Sequence, residues 1–238
     1  MDNFYYAAGR VRALEAKMMT PAQIARMAAA SDFESAFAVL SETPYAENLA
    51  KLKHSFDFEE LVELELKDLQ DLMEHLAPET DLFDTESPLV KNMLIHKRDL
   101  ANIKTLLRCQ ALKKDKKFLQ NALQESGLIG QDVLLDLLDK TPQDIIARLD
   151  YTIYFPFITE GIEHYAKSKS FALLEKLMAD FVTNQIKQAK YLSSGVEPLV
   201  GFYLAKQTKI QTLRFILICK KNFVDTEQIK QRLRLNYA

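Results

Sequence analysis

Apolar residues recur along most of the chain at steps of three, four and seven residues, which is the spacing of one face of an α-helix. The pattern is clearest over residues 57–76, where it predicts one long amphipathic helix. The apolar positions of that helix are Phe58, Leu61, Val62, Leu69, Leu72, Met73 and Leu76. No stretch between turn signals alternates apolar and polar residues with the period of two that is typical of a β-strand. The pattern therefore predicts an all-α fold.

Capping residues and prolines mark where the predicted helices begin and end. Thr20-Pro21 places a hydroxyl at an N-cap and a proline at the first helical position. Ser31-Asp32 begins the next helix, which runs to a break at Thr43-Pro44. A loop is predicted over residues 77–88. Further helices are predicted over residues 4–18, 88–112, 116–126, 157–190 and 198–221, and from residue 225 onward.

The chain contains an internal repeat at a constant offset of 109 residues, which we call the first repeat. Gln23-Ile24 aligns with Asp132-Val133, and the two segments continue in step from there. The later matching pairs are Phe37 with Ile146, Leu40 with Leu149, Thr43 with Thr152, and Tyr45 with Tyr154. Chance alignment of two helices produces matching apolar positions, but it does not readily match polar and aromatic residues as well.

A second repeat has an offset of 110 residues, one more than the first. In it residues 99–110 match residues 209–220, with Cys109 opposite Cys219. Two repeated stretches at nearly the same spacing predict up to three related helical modules, which begin near residues 4, 95 and 200. We place the bounds of the modules at 1–90, 91–160 and 161–238, with the third module truncated.

Charge is distributed unevenly, although the formal net charge is only −2. Residues 57–86 hold twelve acids and one base, whereas residues 97–117 and 203–238 each hold eight bases and two acids. One interpretation is that these are solvated helix faces. The other is electrostatic complementarity to partner proteins, which sets orientation and association rate.

The sequence shows no motif that would carry catalysis or bind a cofactor. The six glycines form neither of the phosphate-binding spacings GxxxxGK[ST] and GxGxxG. Two of the four histidines follow an acid by four positions, and we interpret these as polar pairs on a helix surface. Cys109 and Cys219 are expected to fill a buried packing position in each repeat. We therefore expect no catalytic, cofactor-binding or metal-binding residue.

Neither nucleic acid nor a membrane span is predicted. The lysines of residues 97–117 adjoin only one aromatic residue, Phe118, and the pI near 6.1 disfavours phosphate binding. The longest uncharged stretch, residues 151–159, has nine residues. That is roughly half of what a spanning helix requires. Any contact with a membrane complex is therefore expected to be peripheral.

Three stretches of the chain resemble sequence elements of one protein family. The first is Tyr6-Ala-Ala-Gly-Arg-Val-Arg-Ala-Leu-Glu15 near the start. The second is Asp99-Leu-Ala-Asn-Ile-Lys-Thr-Leu-Leu-Arg108, similar to a D-x-x-N-[IL]-K-x-[IL]-[IL]-R element. The third runs from Tyr203-Leu-Ala-Lys206 through Leu213-Arg-Phe-Ile-Leu217 to Lys220. In this order they resemble the C subunit of the V/A-type ATPases (ATP synthases), the family of the vacuolar ATPase d subunit.

The resemblance implies a pseudo-threefold funnel or socket of three helical modules and a mechanical function. In that family the socket sits on the membrane ring of c-type subunits, and the central stalk shaft plugs into its cavity. Torque passes through the socket between shaft and ring, on the cytoplasmic side and peripheral to the membrane. The family-motif residues carried over as structural or interface residues are Arg10, Arg12, Asp99, Asn102, Lys104, Arg108, Lys206, Arg214 and Lys220.

Some features depart from the family and leave alternatives open. The chain is shorter than typical members, and Gln207 and Lys209 stand where the family favours acids. Arg10, Arg12, Lys206 and Arg214 are expected to make either intersubunit contacts or ion pairs within a module. The alternative function is a free-standing helical-repeat scaffold that binds a partner helix. An enzyme is the third and least favoured class.

Overall fold

The structure is a computed structural model and describes residues 4–54 and 56–234. Within these ranges the chain forms thirteen α-helices, two short 3-10 helices and no strand, which confirms the all-α prediction. The 3-10 helices are Val39–Glu42 and Lys187–Tyr191. The α-helices are α1 (Tyr5–Glu15), α2 (Pro21–Ala29), α3 (Phe33–Ala38), α4 (Ala46–Leu49), α5 (Phe58–Leu76), α6 (Pro88–Ala111), α7 (Lys116–Ala122), α8 (Gln131–Asp136), α9 (Pro142–Arg148), α10 (Phe155–Ser168), α11 (Ala172–Ile186), α12 (Glu197–Lys221) and α13 (Thr226–Arg232).

Side-chain caps begin the helices where the sequence predicts them. The Thr20 hydroxyl accepts a hydrogen bond from the backbone N–H of Gln23, and the Gln23 side chain accepts one from the Thr20 N–H. This reciprocal pair starts α2 and satisfies two backbone donors that would otherwise lack a partner. Asp32 caps α3 through the N–H of Ser35. The predicted starts at Thr20-Pro21 and Ser31-Asp32 are confirmed.

The prediction of one long helix over 157–190 is wrong. The chain leaves helical geometry after Ser168, and Lys169 adopts a left-handed conformation with φ of 57°. The Ser168 hydroxyl accepts from the N–H of Ser170, and the Ser170 hydroxyl accepts from the N–H of Ala172. Serine side chains compete in this way with the helical hydrogen bonds of the backbone. Two helices, α10 and α11, therefore replace the single predicted one.

The chain forms two compact units, each with its own hydrophobic core. The central unit runs from Pro88 to Gln185 and contains α6 to α10 and most of α11. The terminal unit combines the described residues up to Ser87 with those from Ile186 onward. Its core holds buried side chains of α2, α3, α5, α12 and α13 together, including Leu61 and Ile216.

The two units share local geometry at the positions that the first repeat aligns. Tyr45 and Tyr154 are both fully buried. The hydroxyl of Thr43 donates to the carbonyl of Leu40 at 2.6 Å, and the hydroxyl of Thr152 donates to the carbonyl of Leu149 at 2.7 Å. Asp32 and Thr141, which the same offset aligns, cap α3 and α9.

The second repeat also corresponds to matching geometry. Lys113 and Phe223 both have positive φ angles, 51° and 56°, after the ends of α6 and α12. The next residues, Lys114 and Val224, each donate their N–H at 2.9 Å to the carbonyl of the repeat cysteine, Cys109 or Cys219. Both cysteines are buried, as predicted, and neither forms a disulfide. The same helix-ending motif therefore closes α6 and α12.

The two repeats relate four helices of each unit by their positions in the sequence. At the offset of the second repeat, α12 and α13 of the terminal unit correspond to α6 and α7 of the central unit. At the offset of the first repeat, α2 and α3 correspond to α8 and α9.

Three expectations stay predictions: the pseudo-threefold arrangement of three modules, the funnel shape, and the module bounds 1–90, 91–160 and 161–238. The two compact units are defined by contacts between residues, whereas the modules are defined by repeated sequence, so the units do not test the modules. None of the helices in the described parts of the chain is both long and apolar enough to cross a bilayer.

Candidate functional site

Asp99 and Asn102 bind the loop that follows α7 to α6 in the central unit. The Asp99 carboxylate is fully buried and accepts hydrogen bonds from the N–H groups of Leu128 and Ile129 at 2.9 and 3.1 Å. Asn102, also fully buried, accepts from the N–H of Gln124 at 2.8 Å and donates to its carbonyl at 3.2 Å. These contacts satisfy backbone groups in a loop without regular structure, so both side chains have structural roles.

A third hydrogen bond joins Asp99 to Tyr154, which is fully buried and contacts the half-buried His96. The hydroxyl of Tyr154 donates to the Asp99 carboxylate at 2.8 Å. That hydroxyl has a single hydrogen, so the Nδ1 of His96, 2.7 Å away, is the donor to its oxygen. Burial and the hydrogen bond to Asp99 raise the pKa of Tyr154, and burial lowers the pKa of His96. Gly127 packs directly against the carboxylate of Asp99, where a Cβ would have no room.

The counterpart of Asp99 in the terminal unit is Lys209. Its Nζ donates to the carbonyl of Met19 at 2.7 Å, and the residue is 4% exposed. Burial, with the nearby charge of Lys190, lowers its pKa to about 8. An acceptor of backbone N–H groups in one repeat is thus replaced by a donor to a backbone carbonyl in the other. The sequence shows that Lys209 departs from the acid that the family favours at this position. The structure adds the hydrogen-bond acceptor of this buried lysine, the carbonyl of Met19.

Lys220 is the counterpart of Gln110, and each side chain donates hydrogen bonds to backbone carbonyls just after the end of a helix. Lys220 donates from Nζ to the carbonyl of Ala30, just after α2, at 2.6 Å. Gln110 donates from Nε2 to the carbonyls of Leu138 and Lys140, after α8, at 2.8 and 3.0 Å. A cation near a helix C-terminus also interacts favourably with the helix dipole. Lys220 is therefore an internal helix cap.

Lys206 occupies a buried polar network in the terminal unit. Its Nζ lies 2.6 Å from a carboxylate oxygen of Glu65 and 4.3 Å from the ring centre of Tyr45. Asn48 donates from Nδ2 to Glu65 at 2.9 Å and to Asp68 at 2.7 Å. Burial, followed by the charge of Glu65, raises the pKa of Tyr45. Lys206 therefore forms an ion pair inside the terminal unit, between residues that the sequence assigns to the third and the first module.

Glu65 is a functional residue that was not predicted from the sequence, although its position carries a signal. Glu65 follows Phe58 by seven positions and precedes Leu69 by four, so it lies on the apolar face of α5. An acid on such a face is expected to have a buried cationic partner.

Two arginines form ion pairs that are partly exposed to solvent. Arg214 on α12 binds both carboxylate oxygens of Glu59 on α5, at 2.7 and 2.9 Å. Arg108 on α6 lies 2.5 Å from Glu175 on α11. Exposed ion pairs of this kind contribute roughly 0–1 kcal/mol each. They align helices within their own unit more than they stabilise it. Lys104, on the same helix as Arg108, is half-buried and forms no ion pair with the described residues.

Arg12 is an internal clamp, whereas Arg10 lies at the surface. The guanidinium of Arg12 binds Glu15 at 2.7 Å and donates to the carbonyls of Ala189 and Leu192, the second at 3.0 Å. This holds α1 against the 3-10 helix Lys187–Tyr191. Arg10 is exposed and has no ion pair with the described residues.

The predicted residues therefore do not converge on one site. Arg12, Lys206, Arg214 and Lys220 are distributed over the terminal unit, and Asp99, Asn102 and Arg108 over the central one. Within the described ranges, no three His, Cys, Asp or Glu side chains form a group that could hold a metal ion. The motif residues mostly secure helices and loops, so their pattern is that of a framework.

Comparison with known proteins connects this framework to one family. A family model described as ATP synthase (C/AC39) subunit matches residues 7–86 and 81–232. The chain is 22% identical to the C subunit of the A-type ATP synthase of Methanocaldococcus jannaschii over 237 residues, which cover 98% of this chain and 58% of that protein. It is 28% identical to the C subunit of the V-type sodium ATPase of Enterococcus hirae over 139 residues, which cover 58% of this chain and 42% of that protein.

A third relative, the C subunit of the A-type ATP synthase of Methanosphaera stadtmanae, is 24% identical over 231 residues. The alignment covers 95% of this chain and 57% of that protein. The chain thus spans less than two thirds of the length of the relatives it matches. The family model nevertheless covers nearly all of the described chain, and the resemblance found in the three motifs is confirmed: the chain belongs to the ATP synthase (C/AC39) subunit family.

Proposed function

We propose that this chain is a non-catalytic, structural subunit of a V/A-type rotary ATPase. In this role it lies on the cytoplasmic side of the membrane, peripheral to it. It joins the central stalk shaft to the ring of c-type subunits and carries torque between them. The observation that supports the proposal most strongly is the family match over residues 7–86 and 81–232.

The internal chemistry of the motif residues agrees with a mechanical role. Lys206, Lys220 and Asp99 are each bound within their own unit, and Lys220 and Asp99 hold backbone groups. Breaking a buried pair of this kind is strongly destabilising, because it leaves one partner without compensation. Close-packed helices held by such contacts deform little under load. A torque-carrying adaptor requires that property, whereas an enzyme requires a site with converging polar groups.

The test is affinity purification of the tagged full chain from native membranes solubilised in a mild detergent. Partners are identified by mass spectrometry and compared with those of a tagged, unrelated helical protein of similar charge. We expect the c-type ring and the central stalk subunits together, in constant proportion across salt concentrations that remove loosely bound proteins. Recovery of soluble partners alone, without any rotary ATPase component, would refute the proposal and favour the helical scaffold.

A second measurement tests whether the chain couples ATP hydrolysis to ion transport, and not only whether it is present in the complex. Cells or vesicles that lack the chain should retain ATP hydrolysis by the soluble part of the ATPase but lose ATP-driven ion transport. Restoring the wild-type chain should restore transport. If transport does not depend on the chain, the adaptor function is wrong even where co-purification succeeds.

A further inference from the structure

The segment that leads from the end of α6 into the start of α7 exposes basic and apolar side chains together. All eight residues from 111 to 118 are exposed, so the segment protrudes from the central unit. It carries four lysines, at positions 113, 114, 116 and 117, and one acid, Asp115. It also carries two large apolar side chains, Leu112, which is 68% exposed, and Phe118, which is 49% exposed. We call residues 111–118 the lysine turn.

Most of the positive charge of the lysine turn is not used inside the protein. The carboxylate of Asp115 caps α7 and accepts a hydrogen bond from the N–H of Phe118 at 2.7 Å. Lys116 lies 3.2 Å from Asp136, in a pair whose side chains are 61% and 77% exposed. Such a pair holds its charges only weakly. The other three lysines form no ion pair with the residues that the structure describes. The turn therefore presents an excess of positive charge to solvent.

An open cleft of about 450 Å³ lies beside the lysine turn. Its lining includes Lys113 and Lys114 from the turn and Lys140 from the segment after α8. One acid, Asp139, also lines it, so lysines outnumber acids there by three to one. Small-ligand sites have volumes of roughly 300–1,000 Å³. Lysine is a common ligand of phosphate groups. The cleft therefore has the size and charge to hold a phosphate-bearing headgroup.

The second repeat separates what this turn needs for folding from what it adds. Residues 221–228 form the corresponding turn after α12, again with a left-handed residue and a capping aspartate. They carry one lysine and two acids, whereas the lysine turn carries four lysines and one acid. Asn222 and Gln228 stand in the places of Leu112 and Phe118. The fold of the turn thus requires neither the lysine cluster nor these two apolar side chains.

The composition of the lysine turn favours a lipid surface over a protein partner. Protein interfaces are enriched in arginine and depleted in lysine, whereas all four bases here are lysines. An ammonium group is a point charge that binds phosphate without a fixed geometry. Leu112 and Phe118 lie on a protruding segment, for which a protein would need a matching pocket but a fluid bilayer would not. Clusters of four to eight basic residues beside apolar side chains are typical of segments that bind anionic lipids.

We infer that the lysine turn binds the surface of a bilayer that contains anionic phospholipids. The cleft takes a headgroup phosphate between Lys113, Lys114 and Lys140, while Leu112 and Phe118 enter the boundary between headgroups and acyl chains. This lipid contact goes beyond the proposed function and does not depend on it. The adaptor function is tested by co-purification in detergent, so either proposal can fail without the other.

The first test measures binding of the purified full chain to two kinds of vesicle. One is made of phosphatidylcholine alone, and in the other phosphatidylglycerol replaces part of it. We expect at least tenfold tighter binding to the phosphatidylglycerol vesicles, weakened by salt because the charges are exposed. Equal binding to both, or no binding, would overturn the inference. Displacement by inorganic phosphate at constant ionic strength would indicate a soluble anion, and equally tight binding of a polyglutamate peptide an acidic protein; either also overturns it.

The second test removes charge from the turn. Lys113→Gly with Lys117→Gln removes two lysines, and glycine suits the φ of 51° at residue 113. The variant should melt no lower than the wild type and bind phosphatidylglycerol vesicles at least tenfold more weakly, because each lysine contributes about fivefold. The control, Lys17→Gln with Lys167→Gln, removes two exposed lysines outside the turn and should bind as the wild type does. Equal losses in both variants would mean that net charge, not the turn, determines binding, which contradicts the inference.

The third test asks whether apolar side chains of the turn enter the bilayer. The chain contains no tryptophan, so Phe118→Trp and, in a second variant, Phe223→Trp each introduce a single fluorophore. Phe223 is 93% exposed on the corresponding turn, which lacks the lysine cluster. With phosphatidylglycerol vesicles, the emission of Phe118→Trp should shift to the blue and be quenched by lipids brominated in the acyl chain. The emission of Phe223→Trp should not change. An unshifted emission at position 118, or equal shifts at both positions, would refute insertion of the lysine turn.

Discussion

Replacing Lys209 with methionine should remove a pH dependence from the stability of the terminal unit. Lys209 is 4% exposed, and burial lowers its pKa from the ordinary 10.5 to about 8. One pKa unit corresponds to about 1.4 kcal/mol, so the charged lysine lowers the free energy of unfolding by about 3 kcal/mol. This energy is distinct from that of the hydrogen bond to the carbonyl of Met19, which neutral lysine also makes.

The sign of the effect follows from which state binds the proton more tightly. Below about pH 8 both states are protonated, and the destabilisation is fully present. Between about pH 8 and 10.5 the folded state loses this proton before the unfolded state does, so stability rises with pH. Above that range the destabilisation has disappeared.

The methionine variant has no proton to lose at this position, and its Met19 carbonyl lacks a donor, which costs roughly 1–3 kcal/mol. We therefore expect the variant to lie within about 2 kcal/mol of the wild type at pH 7, where the two changes oppose each other. At pH 10.5 it should be about 1–3 kcal/mol less stable than the wild type.

The two buried cysteines allow the assay to observe each unit separately. A short pulse of thiol reagent after equilibration in urea labels Cys219 only where the terminal unit is open, and Cys109 only where the central unit is open. Midpoints are measured from pH 7 to 10.5 for both proteins, with peptide-level quantification. The Cys109 midpoints should be the same in both. Parallel pH curves for Cys219 in wild type and variant would show that the reasoning is wrong.

Three further variants test other contacts. Tyr154→Phe should destabilise the central unit by about 1–3 kcal/mol in the Cys109 assay, because Asp99 loses a buried donor; no change would mean that the bond carries no energy. Lys206→Met should destabilise the terminal unit by about 3–5 kcal/mol, and adding Glu65→Gln should recover part of that loss; additive effects would exclude coupling of the pair. Lys169→Gly should stabilise the central unit by up to about 1 kcal/mol by thermal melting, because glycine adopts positive φ without strain; a lower melting temperature would contradict this.

The fold class and most helix boundaries follow from the sequence because they depend on local interactions. The face of α5, the capping box at Thr20 and the proline starts all arise within a few residues. The break near Lys169 was missed because the apolar spacing continues across it, while two serine hydroxyls decide the local geometry. Serines between apolar residues are too common in helices to outweigh that periodicity.

The site could be predicted only as a set of residues. The motifs identified Lys206 and Asp99, but their partners lie 141 positions away at Glu65 and 55 positions away at Tyr154. The sequence of a single chain does not indicate which residues so far apart will pair in the fold.

The two units meet very different conditions during synthesis. The central unit is made as one continuous segment and can fold as it leaves the ribosome. In the terminal unit the whole of the central unit separates Val62 from Ile210, although both belong to one core. At about 5–20 residues per second, the apolar faces of α2, α3 and α5 wait roughly 10–30 s for α12 and α13. Chaperone dependence and susceptibility to proteolysis should therefore concentrate on the early helices of the chain.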